Sequence, residues 1–93
     1  MIGLCTTNNQ KIIQMKILKF YAEWCGPCKV VGQNLKNANL PIPITEVDVE
    51  DNDDLVLQYG VRSVPVVILV DGNGNEIRRW VGIFNVNELK ETI

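Results

Sequence analysis

Histidine is absent from the 93 residues, and the commonest neutral-pH base and zinc ligand goes with it. A closed four-ligand zinc site would need carboxylates beside the cysteines. Those cysteines are only three, Cys5, Cys25 and Cys28. An odd number argues against the disulfide framework of a small secreted domain, and in a reducing cytosol a persistent pair is better explained as catalytic than as structural. Positive charge is also scarce. Nine Lys and Arg stand against eleven Asp and Glu, a formal net charge of −2 with no long basic run, so nothing recommends nucleic acid as a direct ligand. No stretch reaches the length of a membrane span. Met1 to Cys5 carry neither the basic leader nor the apolar stretch of a signal peptide, and a cytoplasmic location is the expectation.

What is present is an ordinary globule, 46% hydrophobic and 22% charged, of a size expected to make one domain, residues 1–93. The acidic run from Glu46 to Asp54 reads as a solvated loop and helix start. Chemistry gathers in Trp24-Cys25-Gly26-Pro27-Cys28-Lys29. Ahead of it, Ile17 to Ala22 reads as a buried strand; behind it, Val30 to Ala38 continues as a helix. The first thiol therefore falls at a helix start, where unpaired N–H groups and the helix dipole favour a thiolate. Gly26 is expected to let the backbone turn, and Pro27 fits the first helical turn, where its missing N–H costs nothing. A reversible disulfide can close between the two thiols.

Along the chain, Ile2, Leu4, Ile12 and Ile13 suggest a short edge strand and a helical turn around a polar stretch, and Cys5 reads as a packed or bystander thiol. Ile42 to Val49 is a second strand rich in β-branched residues, and a strand–helix–strand succession implies a parallel, right-handed unit. A short helix is expected over 51–59 with Gly60 as its C-terminal cap. Val64 to Val70 forms a third strand, 71–74 a turn, and Glu76 to Val81 an antiparallel return. Asn85 and Glu88 have the spacing of a capping box for a last helix, Val86 to Thr92. Periodicity alone reaches an α/β class with a mixed sheet and helices on both faces. Trp80 reads as a packing residue.

At its six-residue motif, extended backwards by Ala22-Glu23, the chain resembles the thioredoxin family, whose signature is Trp-Cys-Gly-Pro-Cys. The resemblance runs from about Met15 to the C-terminus and implies a thioredoxin-like fold with a shortened N-terminal strand and helix. It implies Cys25 as nucleophile on a target-protein disulfide and Cys28 as the resolving thiol. Arg62-Ser63-Val64-Pro65 resembles the family's loop that ends in a cis proline opposite the disulfide, with the residue before it offering backbone hydrogen bonds to substrate. Trp24, Gly26, Pro27, Val64, Pro65, Gly82 and Ile83 would form the apolar surface that receives extended protein segments. No bound cofactor and no metal are implied. The partners implied are protein disulfides, thioredoxin reductase as electron donor and ribonucleotide reductase as an acceptor, with the protein a monomer.

The pattern also breaks. Six residues before the first cysteine, where the family usually has a buried aspartate, stands Lys19. The family's neighbouring lysine is replaced by Glu46. We expect an exchanged, partly buried ion pair beneath the active site, with Lys19 stabilising thiolates and Glu46 offsetting it or accepting a proton. Gln33, preceded by Gly32, replaces the proline that commonly kinks the helix, so a straighter helix or a bend at Gly32 is expected. Tyr21 replaces a second tryptophan. Two rival functions stay open: a glutaredoxin-like carrier coupled to glutathione, against which the missing Cys-Pro-Tyr-Cys signature counts, and a non-catalytic subunit that binds a partner through the same patch.

Overall fold

A computed structural model describes residues 15–93. The expectations for the first fourteen residues, the abbreviated strand and helix and the place of Cys5, lie outside them. Strand β1 (Lys16–Tyr21) leads into helix α1 (Gly26–Asn37), then β2 (Ile44–Asp48), α2 (Asp53–Tyr59), β3 (Val66–Val70), β4 (Glu76–Val81) and α3 (Val86–Thr92). The strands lie in the order β2-β1-β3-β4. β2 runs parallel to β1, while β3 is antiparallel to both β1 and β4. The mixed α/β architecture is the one expected.

Alternation along the central strands gives the sheet two apolar faces. Ile17, Val67 and Leu69 pack with Val31 and Leu35 of α1 and Leu89 of α3. Leu18, Phe20, Val66, Ile68 and Val70 pack on the other face with Val47, Val61 and, from α2, Leu55, Val56 and Tyr59. Lys19 lies two residues beyond Ile17, so it is turned to the face that α1 covers.

Proline sets the starts of β2 and β3. Ile42-Pro43 is left out of β2 and Val64-Pro65 out of β3, because a proline nitrogen has no hydrogen to give to a ladder. Their carbonyls still serve: Pro43 accepts from Ile17 N at 2.9 Å and Pro65 from Gly82 N at 2.8 Å. Gly60 caps α2 in the left-handed region at φ 63°, the cap expected of it. The capping box at α3 is not made. The Asn85 side-chain Oδ1 accepts from Asn87 N at 3.0 Å, one residue earlier than the box requires, and Glu88 N donates to the Asn85 backbone carbonyl, also at 3.0 Å. Glu88 turns away to take hydrogen bonds from Trp80 Nε1 and Arg78 Nη2, both at 3.2 Å. The tertiary partners win because they include a guanidinium. Trp80 packs as expected, buried and stacked on Phe84 with ring centroids 5.2 Å apart.

Candidate active site

Cys25 is the N-cap of α1, with an extended backbone at φ −90° and ψ 109°. Its Sγ accepts the Cys28 N–H at 3.1 Å, so a sulfur performs the capping role that a serine or aspartate oxygen usually has. That bond and the positive end of the helix both favour negative charge on Cys25. Pro27 occupies the first helical turn as expected. Gly26 does not need its special freedom: it is the first helical residue, outside the left-handed region, with open space where a Cβ would stand. Its contribution is an open surface rather than a turn.

Cys25 and Cys28 are joined as a disulfide, their Cα atoms 5.3 Å apart. Both are buried against Ala22, with Tyr21, Val49 and Val64 around them. The Val64-Pro65 peptide is cis. Trp24 stands out at 71% exposure, its indole N–H bonded to Glu50 Oε2 at 3.1 Å. With Val49, Val56, Val61, Arg62, Ser63 and Val64 it lines a cavity of about 300 Å³ beside the disulfide. Gly82, at φ 80°, is tied by its N–H to Pro65 O, and Ile83 after it is exposed. Trp24 and Val64 thus share one cavity wall, and Pro65 and Gly82 share a hydrogen bond. Gly26 and Pro27 are exposed on the helix start.

On the other side of the disulfide, Lys19, Tyr21, Ala22, Cys28, Lys29 and Glu46, with Glu23, line an open cavity of about 310 Å³. Lys19 and Glu46 are register partners on β1 and β2, and Lys19 Nζ lies 3.4 Å from Glu46 Oε1. The pair is lopsided, with 11% of the lysine side chain exposed against 61% of the glutamate. The ammonium also sits 5.3 Å from the centroid of the Tyr21 ring, a cation–π distance. Burial, then the negative charges of Asp48 and Glu46, push the Tyr21 phenol above its ordinary value.

Sequence reasoning did not single out two participants. Glu50, which fixes the Trp24 indole, was read only as part of the acidic run. Gly32, which leaves room for the Lys19 ammonium, enters the sequence reading only as the place where the helix bends if it is not straight. The signal for Gly32 was its place four residues after Cys28, on the same side of the helix.

Residues 5–93 match the thioredoxin family model, and the chain belongs to the thioredoxin family. Among curated relatives it is 35% identical over 78 residues to the mitochondrial thioredoxin of Bos taurus, covering 80% of this chain and 46% of that one. The match spans less than half the length of that relative. The thioredoxin of Mycoplasmoides gallisepticum is 31% identical over 93 residues, covering 97% of this chain and 87% of the relative. Among solved structures, a mutant thioredoxin from Halobacterium salinarum superposes with a TM-score of 0.77 at 29% identity, covering 89% of this chain and 74% of that one. Among the described residues, no helix is long and apolar enough to cross a membrane.

Proposed function

We propose that the chain is a thiol-disulfide oxidoreductase that works as a protein-disulfide reductase. The observation that carries this is the Cys25 and Cys28 pair closed at the start of α1, with the Cys28 N–H on Cys25 Sγ and an exposed aromatic beside it. In the reduced protein the Cys25 thiolate bonds to one sulfur of a target disulfide and expels the other. Cys28 then attacks Cys25 Sγ, closes the intramolecular disulfide and releases the first target sulfur. The target gains two electrons and two protons, and the pair is left oxidised as seen here. Val64 offers its backbone to the target segment, and Trp24, Gly26, Pro27, Pro65, Gly82 and Ile83 provide the apolar surface around it.

Lys19 and Glu46 complete the site in this proposal. The Lys19 ammonium favours the Cys28 thiolate, and the Glu46 carboxylate, on the same cavity wall, accepts the thiol proton. Family membership supports protein disulfides as substrates, thioredoxin reductase as electron donor and ribonucleotide reductase as one acceptor. A monomer in the cytoplasm, without a bound cofactor, completes the reading.

Insulin reduction, followed with dithiothreitol as electron source, tests it. Cys25→Ser should abolish turnover, and Cys28→Ser, reduced beforehand and mixed with insulin after the dithiothreitol is removed, should accumulate a mixed disulfide with the target that gel electrophoresis under non-reducing conditions resolves. Turnover undiminished in Cys25→Ser would sink the reading and favour a subunit that binds without catalysis.

A further inference from the structure

Gly32 follows Cys28 by four residues, about 6 Å along the helix and on the same face. A Cβ placed on Gly32 would lie 2.8 Å from Lys19 Nζ and 4.0 Å from its Cε. The ammonium therefore fills the volume that any other residue at this position would claim. Glu46 meets it at 3.4 Å and the Tyr21 ring at 5.3 Å. Lys19 also divides two cavities, one shared with Cys28 and Lys29, the other with Gly32, Leu35, Lys36 and Ile44.

We infer that Gly32 is a positioning residue for disulfide exchange: its missing side chain seats the Lys19 ammonium one helical turn from Cys28, and that seat sets how strongly the dithiol is favoured over the disulfide. This rests on the oxidoreductase reading above. The ammonium outweighs its partner at the thiol because water screens the exposed Glu46 carboxylate more than the nearly buried lysine. A positive charge near Cys28 favours thiolate, and favouring the reduced pair makes the disulfide the stronger oxidant. A methyl group on Gly32 would push the ammonium away from the helix that carries Cys28. Since the atom it meets is the end of a flexible side chain, the displacement needs no backbone movement. Alanine is also the better helix former. Gly32→Ala should therefore hold or raise stability while changing the redox equilibrium, whereas a merely structural glycine would show the reverse.

The test is the equilibrium of the Cys25 and Cys28 pair with reduced and oxidised glutathione, read by alkylation of free thiols, in four proteins: wild type, Gly32→Ala, Lys19→Met and the double variant. The expected result for Gly32→Ala is a shift of about threefold to tenfold towards the disulfide, which lowers the potential by about 15 to 30 mV. Lys19→Met should shift the same way. In the Lys19→Met background Gly32→Ala should add nothing, and its urea midpoint should not fall. An unshifted Gly32→Ala, a shift in the opposite direction, or a shift that persists without Lys19 would overturn the inference. A wild-type pair that fails to exchange with glutathione at all would sink the oxidoreductase reading itself. An exchanging wild type with an unshifted Gly32→Ala sinks only the role of Gly32.

Discussion

Removing Glu46 should cost more stability than removing Lys19, although they are two ends of one ion pair. Glu46→Gln leaves an ammonium with only 11% of its side chain exposed and takes its counter-charge away. Lys19→Met leaves a carboxylate that is 61% exposed and already hydrated. Breaking a fully buried pair in this way costs about 3 to 5 kcal/mol. Three features reduce that here: the cavity beside Lys19 is open to solvent, the Tyr21 ring still faces the ammonium, and the glutamine carbonyl can accept a weaker hydrogen bond. The cation–π contact retains about 0.5 to 1 kcal/mol, and a loss of about 1 to 2 kcal/mol remains for Glu46→Gln. Lys19→Met should stay within about 0.5 kcal/mol of wild type, because methionine keeps the apolar stem in place and the carboxylate left behind is mostly in water. Urea unfolding of the oxidised proteins measures both, with the slope of the transition checked for equality. A Lys19→Met variant that loses more than Glu46→Gln would refute the assignment of burial and charge in this pair.

Other positions give independent checks. Gly60→Ala should lower stability by about 1 kcal/mol, since its φ of 63° penalises a Cβ while nothing crowds the space around it; thermal unfolding should register about 4 to 8 °C. Alanine thus acts in opposite senses at Gly60 and Gly32, and a stabilised Gly60→Ala would contradict the left-handed cap. The Arg79 hydrogen bond holds the Glu76 carboxyl below its ordinary value of 4.5. A depressed carboxyl contributes stability above its unfolded value and loses it as pH falls through the folded one. Glu76→Gln should therefore flatten the decline of the thermal midpoint as pH falls below that ordinary value, modestly, because both side chains are about one-third exposed. An unchanged acid slope would remove the pair from the account.

Much of the fold was legible because its signals are local. β4 and α3 fall on Glu76–Val81 and Val86–Thr92 as expected, marked by Gly82 and Asn85. The differences arise where an atom's partner lies far along the chain. Glu88 has the spacing of a capping box, but Arg78 and Trp80, brought near by β4, compete for its carboxylate. Gly32 shows in the sequence only as a residue one turn after Cys28: its reason is Lys19, thirteen positions earlier and on another element. Lys19 and Glu46 could be paired only through the family pattern that they break. Their register across β1 and β2 and their unequal burial required three dimensions.

The most direct test of the central claim is the reduction potential of the Cys25 and Cys28 pair in the native protein. Titration across glutathione buffers at fixed pH, with free thiols counted after alkylation, should give a single two-electron transition involving both cysteines. Its midpoint should lie above the value of about −270 mV typical of thioredoxin, raised by the seated Lys19 ammonium. A pair that stays locked in one state across the buffer range, or thiols that titrate independently, would contradict the account.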